Sequence, residues 1–118
     1  MQVKANYWIE QDGQVALSRW RVALLRAVQE TGSISAAAER LNIPYRRAWE
    51  KIHECEQRLG VKLLETQTGG IGGGGARLSP AGAEYVRRFQ EFCDGLDELV
   101  TLHFARAFGD LLEGVPRA

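Results

Sequence analysis

The sequence predicts a mainly α-helical chain with small β elements. Apolar residues recur at helical spacing over most of residues 19–112, and strict alternation is confined to short stretches. Six of the 13 glycines fall within seven consecutive residues, 69–75, between two short apolar runs. The 118 residues leave room for one domain plus a long helix, and the 45% hydrophobic and 25% charged content excludes wholesale disorder.

Residues 3–10 alternate, with Val3, Ala5, Tyr7 and Ile9 on one side and Lys4, Asn6, Trp8 and Glu10 on the other. Asp12-Gly13 suits a tight turn, because both central positions accept positive φ. Residues 14–18 supply the return strand, with Val15 and Leu17 sharing a face, so a β-hairpin is expected over 3–18. Ser18 is placed to cap a helix from Arg19 to about Glu30, with Trp20, Ala23, Leu24, Ala27 and Val28 as its stripe and Thr31-Gly32 as its end. Ser35 is expected to cap a second, short helix from Ala36 to Leu41, with Glu39 one residue beyond the ideal capping-box position.

Asn42-Ile43 makes a tight connection, and Pro44 fits the first turn of a third helix, where a missing N–H costs nothing. Ala48, Ile52, Cys55 and Leu59 form the buried stripe of that helix, and Gly60 stops it. Val61–Glu65 and Ala76–Leu78 read as short strands around the glycine run. Ser79-Pro80 starts a last helix over 80–112, longer than a domain of this size can cover. The predicted division is a body over 1–88, with helix-turn-helix 35–59 and wing 61–78, followed by the long helix.

The net charge is zero, but the distribution is uneven. Residues 1–88 hold 13 basic and 9 acidic side chains, a net of +4; residues 89–118 hold 2 and 6, a net of −4. Two cysteines, Cys55 and Cys93, are too few for a disulfide framework and read as core thiols. The start lacks a signal sequence, and no run approaches a membrane span of ~18 apolar residues. These features point to a soluble cytoplasmic protein, with the closing Gly114–Ala118 reading as a natural terminus.

Two helices joined by a turn of about three residues, then a two-stranded ribbon, make a winged helix-turn-helix. In that arrangement the second helix of the pair enters the DNA major groove and its leading side chains reach base edges. Here that helix begins Pro44-Tyr45-Arg46-Arg47. With Ala48, Ile52, Cys55 and Leu59 buried, Arg46 and Arg47 face outward, and their forked donors match guanine edges and phosphates. Lys51 and Arg58 add positive charge further along.

The segments Gly32-Ser33-Ile34-Ser35-Ala36-Ala37-Ala38, Tyr45-Arg46-Arg47-Ala48-Trp49 and Thr68-Gly69-Gly70-Ile71-Gly72-Gly73-Gly74-Gly75-Ala76-Arg77-Leu78 resemble the N-terminal DNA-binding domain of ModE-type, molybdate-responsive transcriptional regulators. That domain is a LysR-like winged helix, and the resemblance spans roughly residues 18–90. It implies duplex DNA as partner, and a linker helix that pairs two subunits. The oxyanion-binding modules of such regulators have no counterpart in the last thirty residues, so molybdate binding by this chain is not expected.

The expected DNA-contacting set is Ser33, Ser35, Pro44, Tyr45, Arg46, Arg47, Trp49, Lys51, Thr68, Gly72, Gly73 and Arg77. Ser33 and Ser35 serve as helix caps, as phosphate contacts or as both; Tyr45 and Trp49 fit either core-edge packing or contact with thymine methyls and sugars. Glycines let the wing backbone lie against a sugar–phosphate wall. The literal Gly70-X-Gly72-X-X-Gly75 is not followed by a helix, which excludes a dinucleotide fingerprint.

Phe89, Phe92, Cys93, Leu96, Leu99, Val100, His103 and Phe104 give the last helix a broad apolar stripe, the expected homodimer surface. His53 and His103 stand without a ligand cluster, and no nucleophile–base set or carboxylate pair has a suggestive context, so no metal, cofactor or enzymatic activity is expected. The rival reading is a winged-helix co-regulator that works through its acidic last helix.

Overall fold

The computed structural model describes residues 1–67 and 75–111. Strands β1 (Trp8–Gln11) and β2 (Gln14–Ser18) form the N-terminal hairpin. Helices α1 (Arg19–Thr31), α2 (Ile34–Arg40) and α3 (Tyr45–Leu59) follow. Strands β3 (Leu64–Gln67) and β4 (Gly75–Leu78) form the wing, and α4 (Pro80–Phe108) ends in a 3₁₀ turn, Gly109–Leu111. The expected winged helix-turn-helix with a long last helix is the fold observed.

The hairpin is shorter than the alternation predicts. Asp12 (φ 53°) and Gly13 (φ 78°) form the expected turn, but pairing stops at Trp8 opposite Ser18. Residues 3–7 keep their alternation without a strand partner: Val3, Ala5 and Tyr7 are half-buried while Lys4 and Asn6 are exposed. The register shifts between Ile9 and Glu10, leaving Ala16 as an extra residue in β2. That bulge turns the neighbours Ala16 and Leu17 both inward, which regular alternation forbids, and corrects the expected pairing of Val15 with Leu17.

Helix α1 is the centre of the core. It buries Val22, Leu24, Leu25, Ala27 and Val28 and packs against α2, α3, β4 and α4. Trp20 and Ala23 of the expected stripe are instead exposed, since the face towards α3 and α4 runs through Val22 and Leu25. Ser18 caps α1 by accepting the Arg21 N–H at 3.2 Å, and Gly32 at φ 82° ends it. The cap of α2 is Ser33, which accepts the Ala36 N–H at 3.0 Å. The assignment of that cap to Ser35 is therefore corrected: α2 begins at Ile34, whose side chain is needed in the core, and this puts Ser35 in the first turn with its side chain in solvent.

Pro44 precedes α3, and Gly60 closes it in the left-handed region. Residues 61–63 lie outside the paired strands: the Val61 N–H donates to the Glu56 carbonyl at 3.2 Å and the Leu63 N–H to the Glu56 carboxylate at 2.8 Å. The Leu63 carbonyl accepts from Ser79 N–H at 2.9 Å and the Lys62 carbonyl accepts from the Ser79 hydroxyl at 2.6 Å. Ser79 also caps α4, through the Gly82 N–H at 2.9 Å.

Helix α4 has 29 residues, about 43 Å at 1.5 Å per residue, in a molecule 62 Å in its longest dimension. Its first half is held by the domain through Val86, Phe89 and Cys93. Arg19 reaches Asp97 at 3.0 Å and lies over the Tyr7 ring at 5.2 Å, and Tyr7 meets Phe92 edge-on. Beyond Asp97 the apolar side chains Leu99, Leu102 and Phe108 are exposed. No helix among the described residues is long and apolar enough to cross a membrane.

Candidate nucleic-acid interface

The candidate face on α3 is set by how that helix is held. Ala48, Ile52 and Cys55 bury one side of it, and the opposite side carries Arg46, Glu50, His53 and Gln57 at helical repeats. Arg46 and Arg47 stand in the first turn. Cations there oppose the helix macrodipole, so helix stability does not account for them. The Arg46 side chain is 89% exposed and its Nε meets Glu50 at 3.3 Å. Arg47 is exposed, and its side chain has no hydrogen-bonded or ionic partner among the described residues.

The flank of α3 beside Arg47 is anchored by Arg21 of α1, a residue the sequence reading did not single out. Its guanidinium, 11% exposed, donates to Glu54 at 3.0 Å, to the Lys51 carbonyl at 3.2 Å and towards Cys55 Sγ at 3.5 Å. Burial works to raise the Glu54 carboxyl, but the Arg21 hydrogen bond and the charges of Lys51, Arg21 and Arg58 outweigh it and hold it below the usual range. Burial pushes the Cys55 thiol up, against the pull of Arg21. Lys51 is half-buried and pairs with Glu54 at 3.5 Å; Arg58 donates to the Val15 carbonyl at 2.7 Å. Arg58 thus ties α3 to the hairpin, and Lys51 stands among these ties at the edge of the face.

On the other flank, Trp49 is 44% exposed and stacks on His53, with ring centroids 3.7 Å apart. His53 Nδ1 donates to the Trp49 carbonyl at 2.9 Å. Tyr45, one turn earlier, is 53% exposed. Neither aromatic is in the core. A shallow depression runs from Trp49 and His53 past Gln57 to Val61 and Lys62, along the side of α3 that faces the wing.

The wing is fixed at its base from three directions. Glu56 of α3 accepts the N–H of Leu63 at 2.8 Å and of Leu64 at 3.3 Å. Ala76 N–H donates to the Gly32 carbonyl at 2.8 Å, which ties β4 to the turn before α2. A Cβ on Gly82 would lie 2.1 Å from the Leu63 carbonyl oxygen, so only glycine lets α4 approach this closely. Glu56 and Gly82 were not legible as site-positioning residues, since neither lies in a motif or an apolar stripe. Arg77 projects from β4 opposite Glu65, bonded at 2.9 Å and 70% exposed.

Ser33 is occupied as a cap and Ser35 is exposed beside Pro44 and Tyr45. Thr68, Gly72 and Gly73 lie outside the described residues. On α4, hydrogen bonds from Arg87 and Arg88 pull Glu84 down to about 2, and Arg87 also meets Glu91 at 2.8 Å, so both arginines are paired on their own helix. Of the expected dimer set, Phe89 and Cys93 are 4% and 2% exposed and belong to the core, covered by α1; this corrects their place in an interface. Phe92 and Leu99 are exposed, and Leu96, Val100 and Phe104 are half-buried on the projecting stripe with His103.

Residues 21–83 match the family model for "Bacterial regulatory helix-turn-helix protein, lysR family". Among curated proteins, the molybdenum-pterin-binding protein MopB of Rhodobacter capsulatus is 37% identical over 81 residues, 69% of this chain and 30% of that protein. The molybdenum transport protein ModE of Herbaspirillum seropedicae is 42% identical over 69 residues, and the DNA-binding transcriptional dual regulator ModE of Escherichia coli K12 is 39% identical over 69, each covering 58% of this chain and 26% of the relative. The chain spans less than a third of the length of these relatives. Full-length CbnR in complex with its target DNA matches with a TM-score of 0.61 at 26% identity, over 80% of this chain and 31% of that one. The CbnR_DBD–DNA complex matches with a TM-score of 0.60 over 77% of this chain and 99% of that one, a likeness of fold at 24% identity. With the family model covering more than half of its residues, this chain belongs to the lysR family of bacterial regulatory helix-turn-helix proteins and has ModE-type proteins among its relatives.

Proposed function

We propose that the chain acts as a cytoplasmic, sequence-specific DNA-binding transcriptional regulator and works as a homodimer. The observation that carries this reading is the pair Arg46 and Arg47: both exposed, both at the leading end of the helix that follows the tight turn, and both disfavoured there by the helix itself. In this reading α3 lies in the major groove. Arg46 and Arg47 meet base edges and phosphates, Tyr45 and Trp49 meet the groove wall, and Arg77 exchanges its exposed pairing with Glu65 for a phosphate. That exchange costs little, because an exposed ion pair contributes about 0–1 kcal/mol. CbnR, which shares this fold, is bound to its target DNA in its crystal structure, which supports duplex DNA as the partner.

The homodimer reading rests on α4, whose stripe Leu96, Leu99, Val100, His103 and Phe104 continues past the body that could cover it. Two copies paired there would present two α3 helices about one helical turn of DNA apart or a multiple of it, roughly 34 Å or more, and favour an inverted repeat. We further propose that residues 1–111 take no part in molybdate binding, so that molybdate leaves the DNA affinity of this chain unchanged.

Selection of bound genomic fragments, followed by anisotropy titrations at several salt concentrations, tests the reading. Specific, salt-dependent duplex binding is expected. Arg46→Ala and Arg47→Ala should each weaken it by about 1–3 kcal/mol where the contact is bidentate. Intact operator binding by the double variant would remove the reading head. An absence of duplex binding at low salt would favour the co-regulator reading, with α4 as its working surface.

A further inference from the structure

Helix α3 carries three carboxylates, and two are used inside the fold. Glu54 holds Arg21, Lys51 and Arg58; Glu56 holds the wing backbone. Glu50 differs. It is 52% exposed, and among the described residues its partner is Arg46. An exposed i,i+4 pair with the arginine on the N-terminal side is the weaker of the two orientations and contributes little to the helix. A carboxylate on a face turned towards phosphates also opposes DNA binding. Such a group is favoured there only by a hydrogen-bond donor in the groove, and the major-groove donors are the exocyclic amines of cytosine and adenine.

The geometry of the pair is specific. Arg46 uses Nε towards Glu50 Oε1, which leaves Nη1 and Nη2 as a free fork. That fork matches the O6 and N7 acceptors of guanine end-on. Glu50 Oε2 is left over beside this fork, on a residue whose backbone stands one helical turn, about 5.4 Å, further along α3, comparable to one or two base steps of 3.4 Å.

We propose that Glu50 is a base-specificity residue: it holds Arg46 end-on to a guanine and accepts the N4 amine of a nearby cytosine. The inference rests on the DNA-reading assignment and sharpens it to a guanine and a cytosine read by one coupled pair.

The test is a binding selection on randomised duplexes with the full chain and its variants Arg46→Ala, Glu50→Ala and Glu50→Gln, followed by titrations on single-base variants of the selected site. Arg46→Ala should lose its preference for guanine at one position and so locate the pair. Glu50→Ala should bind unrelated duplex more tightly and discriminate about tenfold less at the adjacent cytosine. Glu50→Gln should move the preference at that position towards adenine, whose N6 and N7 match an amide. Because Glu50 is exposed, thermal melting should be unchanged, which separates loss of reading from loss of fold. If Glu50→Ala keeps every base preference and changes only overall affinity, the inference is wrong while the DNA-reading assignment stands. If the unaltered chain selects no sequence, both fail.

Discussion

The Glu56 carboxylate on α3 accepts the backbone N–H of Leu63 at 2.8 Å, so the helix that carries the arginines and the ribbon that flanks them share one anchor. The side chain is 12% exposed, and the same oxygen reaches Leu64 N–H at 3.3 Å. The backbone carbonyl of the same residue accepts the N–H of Val61 at 3.2 Å, so Glu56 holds the segment entering the wing through both its side chain and its main chain.

Glu56→Ala is expected to destabilise the fold by about 1.5–3 kcal/mol, the range for hydrogen bonds to a charged group. Glu56→Gln keeps an acceptor and should lose less. Chemical denaturation gives the first quantity, and duplex titration should show a severalfold weaker complex for the alanine variant under fully folded conditions. Unchanged stability in Glu56→Ala would mean that the wing is held by Ser79 and Gly32 alone.

The Arg21–Glu54 pair makes stability depend on acid. The Glu54 carboxyl sits below its usual value in the folded state, so the pair's contribution is complete above the ordinary carboxylate range and is lost as pH falls through the lower folded value. Arg21→Met should cost about 1–3 kcal/mol near neutrality, since it removes the shortest of the three cationic contacts to Glu54 and the guanidinium bond to the Lys51 carbonyl. Its stability should also fall less steeply between pH 5 and 3 than that of the unaltered chain, as seen in denaturant midpoints. Parallel acid profiles would refute the assignment.

Gly82→Ala sets two effects against each other. Alanine favours a helix over glycine by about 1 kcal/mol. Against this, its Cβ would lie 2.1 Å from the Leu63 carbonyl oxygen, a backbone atom that no rotamer can move aside. Overpacking typically costs about 1–3 kcal/mol, and a contact this short against backbone belongs at the upper end, so net destabilisation is expected, with a lowered melting temperature. A neutral or stabilised variant would show that α4 can shift along β3 without loss.

Leu99→Glu combined with Phe104→Glu places charge on the projecting stripe and outside the core. Sedimentation at micromolar concentration should then report monomers with an unaltered far-UV spectrum, while the unaltered chain sediments as a dimer. Dimers in the double variant would take α4 out of the interface.

Much of this architecture was legible in the residues themselves. Ser18, Ser79, Gly32 and Gly60 mark helix ends through local hydrogen bonds and positive φ, and Asp12-Gly13 forms a turn that needs no distant partner. The order of helix, turn, helix and ribbon and the exposed arginines at Tyr45-Arg46-Arg47 follow from the same short-range chemistry. Tertiary packing decided the rest. Whether residues 3–7 pair as a strand depends on what lies beside them, and there Tyr7 goes to Arg19 and Phe92. Phe89 and Phe92 look alike in a helical pattern, yet α1 covers one and leaves the other exposed. The partners of Arg21 and Gly82 lie from 19 to more than 30 residues away along the chain, and those of Glu56 lie seven and eight residues on, past the end of α3, so no local periodicity carries them. Local preferences act over a few residues, whereas burial and charge pairing are settled only when distant segments meet.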